Sequence, residues 1–296
     1  MKIFAIADIH IEGKNKRIAY DLPSKLKERL KSLSNDAVLI ILGDITPYIS
    51  SLHNYLLLFK GLPIKKLFVA GNHDIWVEKG GNSYIKYLNL LKDAVLSAGF
   101  HYLDYKPFIL NNIGFIGNIG WYDYSFRQLN VYIPPFMKLI GKNGNYISWQ
   151  DLTYSDYARK ALYADINGKI KMITSWNDRI YIRWNFTDLK FTELCFEKIK
   201  DDFRNVESKV DKIVFASHHI HFYECVIQKK TPEWDFNNAF MGSKKIGDFV
   251  KSREKVSLIL FGHSHVPGKW LIDSRIPAYN PPLLINNNNS FLEIEI

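Results

Sequence analysis

Five short polar clusters, far apart in a chain of 296 residues, carry side chains able to hold metal ions: Asp8-Ile9-His10, Gly43-Asp44, Gly71-Asn72-His73-Asp74, Ser217-His218-His219 and Gly262-His263-Ser264-His265. Asp8 and His10 stand two residues apart, a spacing that in an extended segment sends both side chains to one side and lets the pair chelate one ion. His263 and His265 repeat that spacing near the other end of the chain. Asp44 follows a glycine, where backbone can approach an ion closely, and its two carboxylate oxygens can bridge two ions. The donors are carboxylate, imidazole and amide without thiolate, a set that disfavours a structural zinc knot and suits Mn, Fe, Zn or a similar divalent ion. These are the residue types that two-metal cleavage of a phosphate ester needs.

Each cluster stands just after a short apolar run, in order Ile3 to Ala7, Val38 to Leu42, Lys66 to Ala70, Lys212 to Ala216 and Val256 to Phe261. The runs have strand length and are separated in the first third by helical patterns. Pro23 to Leu33 places Leu26, Leu30 and Leu33 on one face, Tyr55 to Phe59 reads as helix, and Tyr84, Tyr87, Leu88, Leu91 and Val95 form a further stripe. Alternating strand and helix predicts an α/β fold with parallel strands, in which ligands bind where loops leave the carboxyl ends of the strands. Two short strands are expected between Phe108 and Gly117, around Asn111-Asn112. From Trp121 to about residue 190 the composition turns to Trp and Tyr with turn-rich stretches, which predicts an insertion or cap on a single domain spanning residues 1–296. One helix is expected there, Asp151 to Tyr163, and a second near Phe191 to Val206 returns the chain to the sheet. The tail, Lys269 to Ile296, reads as a closing antiparallel sheet with a turn at Asn286 to Asn289.

Bulk properties narrow the setting. The initial apolar run is broken at Asp8, too early for a secretion signal, and no apolar stretch approaches the ~20 residues that span a bilayer. Only two cysteines occur, Cys195 and Cys225, which fit incidental thiols better than a disulfide framework and point to the cytoplasm. The net charge of +9 favours anionic partners. The basic residues are scattered as local pairs such as Lys65-Lys66 and Lys229-Lys230, which favours a small phosphorylated substrate over nucleic acid.

The series D-x-H, G-D, G-N-H-D, a later His and G-H-x-H, in that order from residue 8 to residue 265, resembles the calcineurin-like metallophosphoesterases. The resemblance implies a four-layer αββα sandwich of two mixed β-sheets flanked by helices, here with the aromatic-rich insertion. It implies two divalent ions, one held by Asp8, His10 and His265, the other by Asn72, His218 and His263, with Asp44 bridging. A hydroxide between the ions would attack phosphorus in line, His73 would give a proton to the leaving oxygen, and Asp74 would orient or charge the His73 ring. Many members carry a second Asp three residues after the one in G-D; here that position is Pro47, which leaves Thr46 or a water to steady the His ligands.

The implied activity is hydrolysis of a phosphomonoester or phosphodiester. A nuclease or cyclic-nucleotide phosphodiesterase would use the same ligands, whereas a non-catalytic scaffold would lack some of them, and none of the expected ligand positions is missing. Candidate substrate contacts are His219, Trp121, Tyr124 and Arg127. His219 and the nearby His221 either face the substrate or play a hydrogen-bonded structural role. Trp121, Tyr124 and Arg127 either line the pocket or belong to the cap's own core and ion pairs.

Overall fold

A computed structural model describes residues 1–12, 16–30, 37–282 and 291–296. Strands β1 (Lys2–Ile6), β2 (Ala37–Ile41), β3 (Lys65–Phe68) and β4 (His101–Tyr102) lie side by side and parallel. Next come β5 (Phe108–Leu110) and β6 (Ile113–Asn118), an antiparallel hairpin turned at Asn111 and Asn112. Both asparagines have positive φ, 49° and 61°, the left-handed backbone that two-residue hairpin loops favour. A separate antiparallel sheet follows, made of β7 (Met137–Ile140), β8 (Tyr146–Ile147), β9 (Ala161–Ile166) and β10 (Lys169–Ser175). The chain then returns through β11 (Lys212–Ser217), β12 (Val256–Leu260), β13 (Gly268–Ile272) and β14 (Ile276–Asn280) to complete a six-stranded mixed sheet in the order β13-β14-β12-β11-β6-β5. Finally β15 (Leu292–Glu295) pairs antiparallel with β1 at the edge of the first sheet.

The two mixed sheets pack face to face because their central strands are apolar on both sides. Ile3, Ala5, Val38, Ile40, Leu67 and Val69 from the first sheet share one core with Phe115, Val214, Ala216, Leu258 and Leu260 from the second. The alternate residues, among them Phe4, Ile6, Leu39, Ile41, Phe215 and Ile259, belong to the outer core with the helices. Leu22, Leu26, Leu52 and Leu56 supply one set of helical partners; Phe191, Ile199, Phe203, Ile246 and Val250 supply the other. The result is helix, sheet, sheet, helix, the four-layer arrangement anticipated from the sequence.

Several expected elements differ from those observed. The helix expected over Asp151 to Tyr163 is a single turn, Tyr154–Ala158, started by a Thr153–Asp156 capping box. Lys160 then takes a left-handed φ of 53°, which ends the helix and turns the chain into β9. The four-stranded sheet around it left little trace in the sequence, because β7 and β8 are short and β10 is largely exposed. The first helix begins at Lys16, so Pro23 lies inside it, and Ala19 and Leu22 extend the buried stripe of Leu26 and Leu30. Leu88 faces solvent because Lys86–Leu90 is a π turn, which shifts the phase of the helical stripe. The tail closes both sheets rather than forming one of its own, since β14 runs parallel to β12 and β15 crosses to β1. Leu33 and Asn286 to Asn289 lie outside the described residues.

Asp104 ties the carboxyl ends of the two sheets together. Its buried carboxylate accepts the Ala70 N–H at 2.9 Å, just past β3, the Ile119 N–H at 2.6 Å, just past β6, and the Tyr87 hydroxyl at 2.8 Å. Asp104→Ala would strand two buried N–H groups and should lower stability by about 2–4 kcal/mol in urea unfolding. Tyr87→Phe removes one hydroxyl donor and should cost less. A loss for Asp104→Ala no larger than that for Tyr87→Phe would show that this link does not hold the sheets in register.

Candidate metal centre

All five clusters lie at or directly beyond the carboxyl ends of β1, β2, β3, β11 and β12. Backbone conformation, more than strand alternation, aims their side chains. Asp8, His10, Asp44, His263 and His265 all have positive φ, at 52°, 43°, 57°, 72° and 55°. The Asp8/His10 and His263/His265 pairs therefore converge through left-handed kinks past the strand ends, not through the extended geometry their spacing suggested. Such backbone costs roughly 1–3 kcal/mol per non-glycine residue and persists only where surrounding bonds enforce it. Here they do. The N–H groups of Asp8 and His10 donate to the carbonyls of Gly43 and Asp44 at 3.2 and 2.9 Å, and the His263 N–H donates to the Asp8 carboxylate at 3.0 Å. Gly43 and Gly71 pack backbone to backbone: a Cβ on Gly43 would meet the Gly71 nitrogen at 2.4 Å, and one on Gly71 would meet Asp44 Oδ1 at 2.1 Å.

The seven expected ligands come together in two groups that share Asp44. Donor atoms of Asp8, His10, Asp44 and His265 all lie within 4.8 Å of one another. In the other group, His218 Nε2 is 3.1 Å from Asn72 Oδ1, 3.1 Å from His263 Nδ1 and 3.4 Å from Asp44 Oδ2. The same Asp44 oxygen is 3.8 Å from His10 Nε2. Ring tautomers follow from the backbone. His218 Nδ1–H donates to the Leu42 carbonyl at 2.7 Å, and His263 Nε2–H donates to the Phe240 carbonyl at 3.1 Å. The remaining ring nitrogens, His218 Nε2 and His263 Nδ1, face each other at 3.1 Å, and His10 Nε2 faces His265 Nε2 at the same distance. Imidazole, carboxylate and amide donors gathered this closely suit divalent ions, so the residues present fit metal ions.

Backbone carbonyls thus do the steadying that the replacement at Pro47 left open. Thr46 does not: its hydroxyl donates to Glu12 and its N–H to Asp74. The Pro47 carbonyl accepts from Lys86 Nζ. The charges are tightly balanced. Burial works to raise Asp44, but the His218 and His73 rings beside it outweigh burial and hold its carboxyl well below the usual range. Burial works to lower His218, yet Asp44 pushes that imidazole up to about 9.

His73 and Asp74 do not form the expected pair. The His73 ring is part-exposed, its Nε2 is 3.8 Å from Asp44 Oδ2, and it stacks on Trp76 with ring centroids 3.6 Å apart. Burial pushes its imidazole down to about 4, against the pull of Asp44. Asp74 is fully buried and accepts four backbone N–H groups, from Gly71 at 2.8 Å, Asp44 at 2.9 Å, Ile45 at 2.8 Å and Thr46 at 3.1 Å. Among the described residues its carboxylate bonds no ring nitrogen. Asp74 therefore pins the Asp44 loop to the Asn72 loop, where the sequence had suggested a partner for the His73 imidazole.

The profile of the calcineurin-like phosphoesterases matches residues 1–267. The chain belongs to that family. It is therefore a hydrolase of phosphate esters, and its family uses two divalent metal ions, for which the two donor groups above are suited. Among solved structures, a phosphopantetheinyl hydrolase from Mycobacterium tuberculosis superposes with a TM-score of 0.69 at 15% identity, covering 99% of this chain and 95% of that one. A dimetal phosphatase from Danio rerio superposes with a TM-score of 0.53 at 11% identity, covering 99% of this chain and 91% of that one. At such identities the likeness shows the fold. No curated protein matches the sequence.

The four candidate substrate residues of this phosphoesterase lie away from its cleft. Trp121 is fully buried, and its Nε1–H donates to Asp188 at 2.9 Å; the Tyr124 hydroxyl and Lys160 Nζ also donate to Asp188. Arg127 lies 4.8 Å over the Tyr154 ring. His219 is fully buried, with Nδ1–H donating to the Ile119 carbonyl at 3.0 Å and its ring 4.1 Å from that of His263. These aromatics thus pack against Asp188, Lys160 and Tyr154, away from the lining of the cleft.

The cleft beside the ligands, ≈ 340 Å³, is walled instead by Trp76, Trp176, Trp234 and Met241, with Asn237 and Asn238. Behind the first two stands a residue the sequence did not flag. Buried Asp178 accepts from Asn72 Nδ2 at 3.0 Å, Trp76 Nε1 at 2.6 Å, Trp176 Nε1 at 2.9 Å and the Tyr122 hydroxyl at 3.0 Å. It turns the Asn72 carbonyl oxygen toward His218 while fixing two walls of the cleft. Nothing in local spacing marks Asp178, since three of its four partners, Asn72, Trp76 and Tyr122, reach it only in the fold.

The structural role of Asp74 can be separated from an acid-pair role. Asp74→Ala should lower the thermal midpoint by several degrees more than His73→Ala, because it strands four buried N–H groups. Near-equal midpoints, combined with equal and non-additive rate losses in the two variants, would restore the acid pair.

Proposed function

We propose that this phosphoesterase hydrolyses a phosphomonoester or phosphodiester at the centre where Asp44 lies within reach of both ligand groups. The observation that supports this most directly is that one buried carboxylate oxygen is 3.8 Å from His10 Nε2 and 3.4 Å from His218 Nε2. In this reading Asp8, His10 and His265 hold one ion, Asn72, His218 and His263 hold the other, and Asp44 bridges. Bound ions supply an acidified water as nucleophile and neutralise charge on the phosphoryl oxygens; Mn, Fe and Zn suit the donors.

His73 faces the leaving oxygen and gives it a proton. Trp76, stacked against the ring, fixes its plane, and a phosphoryl dianion beside it favours the charged form that donates. We assign the segment of about residues 121–190 as a cap on one catalytic domain, supported by Trp176 and Asn177 reaching the cleft. Two free, buried cysteines agree with a reducing, cytoplasmic setting.

His263→Ala should abolish hydrolysis of a chromogenic phosphate ester while leaving the circular dichroism spectrum unchanged. A wild type inert toward a broad panel of mono- and diesters with Mn, Fe or Zn supplied would overturn the reading. His73→Ala should keep both ions yet lose about 100-fold or more in kcat on alkyl esters, with a much smaller loss on nitrophenyl esters. Equal losses on both classes would remove His73 from the donor role.

A further inference from the structure

The cleft next to the phosphoryl site is aromatic and nearly free of charge, which bears on what the ester carries. Trp76, Trp176 and Trp234 are each part-exposed along it, and their N–H edges are anchored away from any ligand. Asp178 holds Trp76 and Trp176 at 2.6 and 2.9 Å, and the Ile227 carbonyl accepts from Trp234 Nε1 at 2.6 Å. Phe240 backs Trp176, with nearly parallel rings at 5.4 Å and 14°. These indoles are fixed before any ligand arrives, so little ordering entropy is lost when a flat group enters.

Among the described residues, the lining contains no lysine or arginine, and its only carboxylate is Asp44. Lys229 sits 3.5 Å from the Trp234 ring centroid but is not part of the lining. A second phosphate in the cleft would therefore meet indole, amide and thioether where it needs positive charge. Asn237 Nδ2 donates to Thr174 Oγ1 at 3.2 Å, and its Oδ1 is shielded from solvent.

Resting on the phosphohydrolase reading, we propose that this cleft is the subsite for the alcohol portion of the substrate and takes an uncharged aromatic or heteroaromatic group carried on a single phosphate. A second phosphate placed in the cleft is disfavoured by a lining without lysine or arginine.

Two measurements test it. With metal-loaded enzyme, KM should be lower for 1-naphthyl phosphate and a nucleoside monophosphate than for glycerol phosphate, and kcat/KM should fall on going from the nucleoside monophosphate to its diphosphate. Trp234→Ala should raise KM for the ring-bearing esters about tenfold more than for glycerol phosphate, the size expected for one lost stacking contact. Equal effects on all three esters, or a preference for the diphosphate or an oligonucleotide, would overturn the proposal.

The second measurement needs no catalysis. Titrating metal-depleted protein with the phosphate-free nucleoside should quench tryptophan fluorescence, and Trp234→Ala should weaken that binding. An absence of saturable quenching would overturn the subsite even if phosphatase activity is found. Conversely, quenching by a protein inert to every ester would leave the subsite standing and remove the catalytic reading.

Discussion

The Asp44 carboxylate is the point on which this centre depends. It is buried, held as an anion by the imidazoles around it, and set on a left-handed residue between a glycine and a chain segment whose N–H groups all point at Asp74. A charge in that position is unfavourable without opposite charge around it. The rest of the site can be understood as supplying that surrounding. Leu42 and Phe240 carbonyls turn His218 and His263 inward, Asp178 turns Asn72, and the Gly43–Gly71 contact lets two loops approach where a single added methyl would collide.

That geometry is possible because two parallel sheet segments deliver loops to a common edge. β1, β2 and β3 bring Asp8, Asp44 and Asn72; β11 and β12 bring His218 and His263 from the facing sheet. Asp104 closes the seam by accepting N–H groups from both sheets. Trp176 and Asp178 lie over this edge, with Asp178 bonded to both Asn72 and two walls of the cleft. The donor cluster and the adjoining cleft are thus mechanically joined through one carboxylate.

The ligand clusters were legible because each is a contiguous motif at the end of an apolar run, and both motif and run survive in local sequence. Ile3 to Ala7 and Val38 to Leu42 predicted their strands to within a residue. Asp74 was misassigned because adjacency to His73 in sequence does not say where a carboxylate points; a left-handed loop folded four N–H groups around it. The segment from Trp121 to about residue 190 resisted reading for another reason. β7 and β8 are short and β10 is largely exposed, so no buried face marks them, and the helix expected from Asp151 to Tyr163 dissolved into one turn and a strand. Trp176 stands two residues from Asp178, but Asn72, Trp76 and Tyr122 reach that carboxylate only through long-range packing, which no local pattern could announce.

If Asp44 bridges, its removal must affect both ions at once, whereas loss of a ligand to one ion spares the other. The direct test is elemental analysis of purified wild type, Asp44→Ala and His265→Ala after reconstitution with Mn or Zn. A bridging role predicts two ions per chain in the wild type, close to none in Asp44→Ala, and one in His265→Ala. Retention of two ions by Asp44→Ala, or a wild type that saturates at one, would contradict it.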